Sequence, residues 1–150
     1  MKVRVSVIIP IIIIFVSCSK KDPDRYYNRK GGFSIEFPKD WEIKEDYMGS
    51  LVMALSPLKN SEDDFRENIN ITIEKLSKDM TIDEYLDFNM AKLGKFFTDF
   101  KELKRGDWIF DDNDAKWVLC SCRMGVYDIC YLLYVAIVEG KAYSLYAQVN

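Results

Sequence analysis

Residues 129–138 (ICYLLYVAIV) are the segment that most constrains the fold, because all ten side chains are hydrophobic. As a strand, the segment would place Ile129, Tyr131 and Leu133 on one face and Cys130, Leu132 and Tyr134 on the other. A strand that is apolar on both faces belongs to a sheet that is covered on both faces. A fold for this chain therefore needs two covers for one sheet.

The flanking sequence predicts an antiparallel sheet and one helix. Alternating hydrophobic segments bounded by turn residues predict strands at residues 33–37, 41–44, 51–56, 68–76, 103–110, 115–124, 128–138 and 141–149. Thr81 and Glu84 have the spacing of a capping box, and apolar residues recur at helical spacing from Ile82 to about Thr98. The chain is therefore predicted to be a single α+β domain, with an antiparallel sheet flanked by a helix.

One helix covers only one face of such a sheet. The strand pattern ends at Asn150 without a cap or breaker. Three explanations stay open: the chain is truncated and lacks a C-terminal helix, a partner supplies the cover, or the charged loop around Phe65 folds over the second face. We favour the first explanation and then the second.

The first residues predict export from the cytoplasm. Lys2 and Arg4 precede an apolar run from Val5 to Val16, which is shorter than the ~20 residues that a membrane-spanning helix needs. The next segment, Phe15-Val16-Ser17-Cys18, resembles a bacterial lipobox. That resemblance implies cleavage before Cys18 and lipidation of its thiol, and two or three acyl chains hold a protein stably on a membrane. The alternative is an uncleaved N-terminal membrane segment with an incidental cysteine.

These features divide the chain into three parts. Residues 1–17 are predicted to be a lipoprotein signal peptide and residues 18–31 a polar, flexible tether. Residues 32–150 form the predicted domain, which would lie outside the cytoplasm, in the periplasm or at the cell surface.

The composition excludes several classes of function. The chain has no His in 150 residues, so it cannot build Ser-His or Cys-His nucleophile pairs or a His-ligated zinc site. Its formal net charge of −3 argues against binding to nucleic acid, whose phosphates require a basic surface. We predict no catalytic residue, no metal site and no cofactor. The acidic segment from Asp111 to Asp114 is expected to be a turn rather than a calcium site.

The cysteines other than Cys18 leave two possibilities open. A three-residue turn at residues 125–127 would place Cys122 opposite Cys130, where a disulfide could form with some adjustment of the backbone. A shift of one residue in the register would move Cys130 to the other face of the sheet. The cysteines are then either joined by a Cys122–Cys130 disulfide or buried as free thiols.

A segment near the start of the domain resembles a known family. Residues 32–41 (GFSIEFPKDW) look like the opening of the PsbP-like fold, and the helix start at Thr81–Tyr85 and the strand segments Ala115–Val118 and Gly140–Tyr143 occur in the same order. The family includes the PsbP subunit of photosystem II, a Ran-binding nuclear import factor, bacterial DcrB-type lipoproteins and chaperones of type VI secretion effectors. The resemblance implies an α/β/α sandwich with a further C-terminal helix, and it implies no shared catalytic residues.

Two functions remain as expectations. The first is a bacterial lipoprotein, anchored in the cell envelope through Cys18, whose non-catalytic domain binds another envelope protein or assists its assembly. It predicts an exposed apolar or aromatic patch. The alternative is a carrier of a small apolar ligand, with a pocket between sheet and helix lined by residues such as Phe97, Tyr131 or Leu133. An enzyme comes third, and it would need acidic residues with raised pKa values in a cleft.

Overall fold

The computed structural model describes residues 24–150 and the backbone of Ile13–Ile14. The predicted cleavage site, Cys18 and the first part of the predicted tether lie outside the described residues. The chain divides into two compact units between Pro38 and Lys39.

The first unit contains a small antiparallel sheet. Its strands are β1 (Ile13–Ile14), β2 (Tyr26–Asn28) and β3 (Phe33–Ile35), in the spatial order β1-β3-β2. Asn28 makes the turn between β2 and β3, since its Oδ1 accepts a hydrogen bond from the Gly31 N–H at 2.7 Å. The Tyr26 ring lies 6.5 Å from the Phe33 ring and 5.8 Å from the Phe37 ring, measured between centroids.

Strand β2 corrects the predicted tether, which was drawn as far as residue 31. Tyr26 gives this segment an apolar side chain that packs on Phe33 and Phe37, and Asn28 supplies the turn that brings β2 against β3. The polar composition of the neighbouring residues concealed both signals. The segment from Tyr26 onward is therefore part of a packed unit.

The second unit is a seven-stranded antiparallel sheet with one helix on its first face, which we define as the face toward the helix. Its elements are β4 (Glu42–Tyr47), β5 (Ser50–Leu55), β6 (Asn68–Lys75), α1 (Ile82–Phe96), β7 (Thr98–Phe110), β8 (Asn113–Met124), β9 (Tyr127–Val138) and β10 (Lys141–Val149). The spatial order is β4-β5-β6-β10-β9-β8-β7. This architecture confirms the predicted α+β fold.

Helix α1 begins where its capping box predicted. The Glu84 N–H donates to Thr81 Oγ1 at 3.2 Å, and the Thr81 N–H donates to Glu84 Oε2 at 2.8 Å, so the two residues satisfy each other's free amides. The helix ends earlier than the predicted Thr98. Phe97 is extended, with φ −105° and ψ 137°, and Thr98 already pairs with Arg123 in the sheet.

The core lies between α1 and the first face. It contains Leu86 from the helix together with Val118 and Leu133 from the sheet, and all three are fully buried. Phe65 belongs to this same core, and its ring lies 5.1 Å from that of Tyr127. The charged loop around Phe65 therefore packs on the helix side, which contradicts the explanation that this residue covers the second face.

The second face is buried unevenly. It is fully or almost fully buried at Val52, Ile69 and Leu145, whereas Leu132 and Tyr134 of β9 are only half-buried. The segment 129–138 is thus apolar on both faces, as its sequence shows, but its second face keeps accessible surface. Leu132 and Tyr134 therefore contribute accessible apolar surface on the second face.

Candidate functional site

A cleft lies between the C-terminal half of α1 and the first face of the sheet. Its volume is about 200 Å³. Leu93 and Phe97 form its helix side, and the sheet contributes Asn70, Cys122, Ile129, Tyr131, Tyr146 and Gln148. None of these side chains carries a formal charge at neutral pH, so the lining favours uncharged groups.

Tyr131 is the polar residue of this cleft that the protein itself does not satisfy. The residue is only 7% exposed, and its hydroxyl oxygen is buried beside the Cys120 thiol without a hydrogen bond of ordinary length and angle. Burial raises the pKa of Tyr131, and the nearby Cys120 thiol raises it further. The hydroxyl therefore stays protonated at neutral pH and keeps a hydrogen to donate. Buried hydroxyl groups in proteins are nearly always hydrogen-bonded, which makes this one unusual.

Three amide side chains form a relay on the sheet side of the cleft. Asn70 Nδ2 donates to Asn68 Oδ1 at 3.2 Å, and Asn68 Nδ2 donates to Gln148 Oε1 at 3.1 Å. The relay leaves Asn70 Oδ1 as its terminal acceptor and Gln148 Nε2 as its terminal donor. Gln148 is the residue directly opposite Tyr131 in the β9–β10 ladder.

The cleft matches part of what the carrier hypothesis predicted. Phe97 and Tyr131 line it, whereas Leu133 is fully buried in the core and does not. The volume of about 200 Å³ is below the ~300–1,000 Å³ that is usual for drug-sized ligands, so the cleft suits a smaller molecule. The amides were not foreseen as site residues. Their signal was the alternation of Asn68 and Asn70 with Ile69 and Ile71, which marks one polar face of β6.

An aromatic cluster lies on the second face, near the turn between β7 and β8. We define it as Trp108, Phe110 and Tyr134. The Trp108 ring lies 5.0 Å from that of Tyr134 and 5.8 Å from that of Phe110. Phe110 is buried, but Trp108 remains 36% exposed. This is the kind of aromatic surface that the protein-binding hypothesis predicted.

The structure contradicts the proposed Cys122–Cys130 disulfide. The β8–β9 turn has two residues, Gly125 and Val126, instead of the expected three, and Gly125 takes the positive φ of 63° that such a tight turn favours. Cys122 is therefore opposite Ile129, and Cys130 is opposite Ser121 on the other face. Both thiols are free.

The buried thiols of Cys120 and Cys122 have low nucleophilic reactivity. Burial raises the pKa of Cys120 to about 11 and also raises the pKa of Cys122. A thiol attacks as its thiolate, so these values disfavour nucleophilic chemistry. The Cys120 thiol donates instead to the Met90 sulfur at 3.6 Å.

Carboxylates near the helix are held in ion pairs. Arg105 bonds to Glu102 at 2.6 Å and to Asp87 of α1 at 2.9 Å. Lys116 lies 2.7 Å from Asp107 and 3.2 Å from Asp83 of α1. The hydrogen bonds from Arg105 lower the pKa of Glu102, which is opposite to the shift that a general acid requires. These pairs tie α1 to β7 and β8.

The acidic segment from Asp111 to Asp114 contains the predicted hairpin turn, although its last two residues already belong to β8. Asp111 and Asp112 are the two central residues of the turn, with φ values of 46° and 61°.

Within residues 24–150, no group of three or more Cys, Asp or Glu side chains is arranged to hold a metal ion. The part of the chain that the structure describes also contains no helix with the length and hydrophobicity of a membrane span.

Comparison with known proteins places the fold. No protein-family model matches this sequence, and no curated protein is detectably similar to it. The solution structure of cyanobacterial PsbP (CyanoP) from Synechocystis sp. PCC 6803 aligns with a TM-score of 0.62 and 15% identity, over 89% of this chain and 85% of that chain. The crystal structure of PA94 from Pseudomonas aeruginosa, a protein of unknown function, aligns with a TM-score of 0.56 and 13% identity, over 84% and 81%. At these identities the likeness concerns the fold alone, and the chain has a PsbP-like α+β fold.

Proposed function

We propose that this chain is a lipid-anchored binding protein of the bacterial cell envelope, whose PsbP-like domain docks on another envelope protein without catalysis. The observation that supports docking is the aromatic cluster on the second face. Trp and Tyr are among the residues that most often dominate protein–protein binding energy, because each combines a large apolar ring with a polar tip.

The geometry of the cluster suits a binding anchor. Within the cluster, the buried Phe110 ring packs against Trp108, while 36% of the Trp108 surface remains accessible. On the same face of β7, the Lys104 ammonium lies 5.7 Å from the centroid of the Trp117 ring. A supported aromatic centre with a polar rim is the usual anatomy of an interface.

Site-specific photocrosslinking in the bacterium tests the docking surface. A photoreactive phenylalanine analogue at position 108 is expected to give a discrete adduct with a second envelope polypeptide. The matched control is position 109, because Ile109 is 69% exposed and its side chain points to the opposite face of the same strand. Equal adducts from both positions, or none from position 108, would contradict docking through the cluster.

The anchor is supported by the lipobox-like segment that ends at Cys18. In cells fed an alkyne-labelled fatty acid, the wild-type chain is expected to take up label and to lose its first 17 residues. Cys18→Ala should remain unlabelled and at precursor length, whereas Cys130→Ala, which changes a half-buried thiol of the domain, should behave as wild type. Label that persists in Cys18→Ala would refute the anchor.

A second candidate function is the transport or sensing of a small ligand. It is supported by the cleft that Phe97 and Tyr131 line beneath α1. The cleft and the aromatic cluster are on opposite faces of the sheet, so the two functions are compatible and can be tested separately.

A further inference from the structure

We propose that the cleft beneath α1 binds a small, neutral molecule that combines one ring-sized apolar body with a hydrogen-bond acceptor such as a carbonyl oxygen. The Tyr131 hydroxyl is the donor to that acceptor. This inference rests on the second candidate function and specifies its ligand class.

The need for a hydrogen-bond acceptor on the ligand follows from the environment of the Tyr131 hydroxyl. The residue is only 7% exposed, and the neighbour of its buried hydroxyl is the Cys120 thiol, a weak acceptor that forms no hydrogen bond of ordinary length and angle with it. A buried hydroxyl without a partner is destabilising, and a ligand atom that accepts its hydrogen removes that cost. Carbonyl oxygens are good acceptors of this kind and bring no charge with them.

The size and the neutrality follow from the cleft itself. An apolar cavity of about 150 Å³ is enough to hold benzene, so about 200 Å³ holds one ring with two or three further atoms. A charged ligand would need a counter-charge, because an unpaired ion is costly to desolvate. The lining offers none.

The orientation of the ligand in the cleft follows from the pairing of β9 with β10. Gln148 is directly opposite Tyr131 in the β9–β10 ladder, and both residues line the sheet side of the cleft. Leu93 and Phe97 lie on the helix side. The polar end of the ligand therefore lies on the sheet side of the cleft, at the Tyr131 hydroxyl, and its apolar body packs beneath the helix.

The test compares two probes of nearly equal shape, acetophenone and ethylbenzene, of which only the first carries a carbonyl group. Each is titrated into the full chain, kept at a constant detergent concentration, while the isoleucine methyl groups are followed by NMR. Ile129 lines the cleft and is the reporter, and Ile69, which faces the other side of the sheet, is the internal control. Saturable shifts are expected at Ile129 and not at Ile69.

Two variants separate the possible outcomes. Tyr131→Phe removes only the unpaired hydroxyl and should weaken acetophenone binding about fivefold to tenfold while changing ethylbenzene binding by less than about twofold. Leu93→Trp should fill the cleft and abolish both. If acetophenone binds equally well to wild type and Tyr131→Phe, the assigned ligand class is overturned although a ligand site remains. If neither probe shifts Ile129 in the wild type, both this inference and the second candidate function are overturned.

Discussion

Replacing Leu86 with alanine is expected to lower the free energy of unfolding by about 2–5 kcal/mol. Leu86 has no exposed surface and belongs to the core between α1 and the sheet. The substitution removes buried methyl groups and leaves a cavity that a packed helix cannot close fully. For a domain of this size, the midpoint of thermal unfolding should fall by roughly 10 °C. Urea and thermal denaturation of the wild type and of Leu86→Ala would measure the loss of stability.

Phe88→Ala is the matched control on the same helix. Phe88 is 59% exposed, so its truncation should change stability by no more than about 0.5 kcal/mol although it removes more atoms. A Leu86→Ala chain as stable as the Phe88→Ala chain would mean that α1 is not docked on the sheet as described.

Gly106→Ala is expected to destabilise the protein by about 1–3 kcal/mol, which is the usual cost of overpacking. Gly106 pairs with Trp117 across β7 and β8, and a Cβ atom at Gly106 would lie 2.8 Å from three atoms of the indole ring. Alanine is normally better than glycine in a strand by about 0.5–1 kcal/mol. We expect the clash to outweigh this gain, and denaturant unfolding would give the sign directly.

Gly94→Ala provides the opposite expectation from the same chemical change. At Gly94 the nearest atom to an added Cβ is in the Phe100 ring, at 3.4 Å, which is close to ordinary contact. Helix propensity should therefore stabilise this variant by up to about 1 kcal/mol.

Adding Trp117→Leu to Gly106→Ala should recover part of the lost stability, because the two residues are in contact. A stabilising Gly106→Ala would show that the indole moves aside at little cost.

The elements that could be predicted from the sequence are those with local signals. The capping box of Thr81 and Glu84 depends on four consecutive residues, and the structure contains both of its hydrogen bonds. The last strand, Lys141–Val149, has its predicted bounds, because Gly140 and a clear alternation define them. The unbroken hydrophobic run at residues 129–138 likewise predicted that this part of β9 is apolar on both faces.

The predicted Cys122–Cys130 disulfide was wrong because it required the register of β8 against β9 to be known to a single residue. The tight turn at Gly125 and Val126 is one residue shorter than expected, and this alone exchanges the face of Cys130 relative to Cys122. Composition around a turn shows that a turn exists more reliably than it shows its length. The disulfide depended on the length.

The candidate site was less predictable than the fold, because it joins residues that are distant in the chain. Asn68 and Gln148 are 80 residues apart and hydrogen-bond to each other only because β10 lies beside β6. Phe97 and Tyr131 were foreseen from a helix stripe and a strand face. The missing partner of the Tyr131 hydroxyl is a property of the packed interior, to which no sequence pattern refers.

The position of β10 has a consequence for how this domain assembles. Every strand pair in the large sheet joins consecutive strands except β6 and β10. The pairs β4-β5-β6 and β7-β8-β9-β10 can thus form as two local meanders, and the ladder between β6 and β10 is the single long-range seam that unites them. Closing distant segments is the slow, entropically costly part of folding. We therefore expect the seam to form late, and the amide relay that bridges it to appear only in the finished sheet.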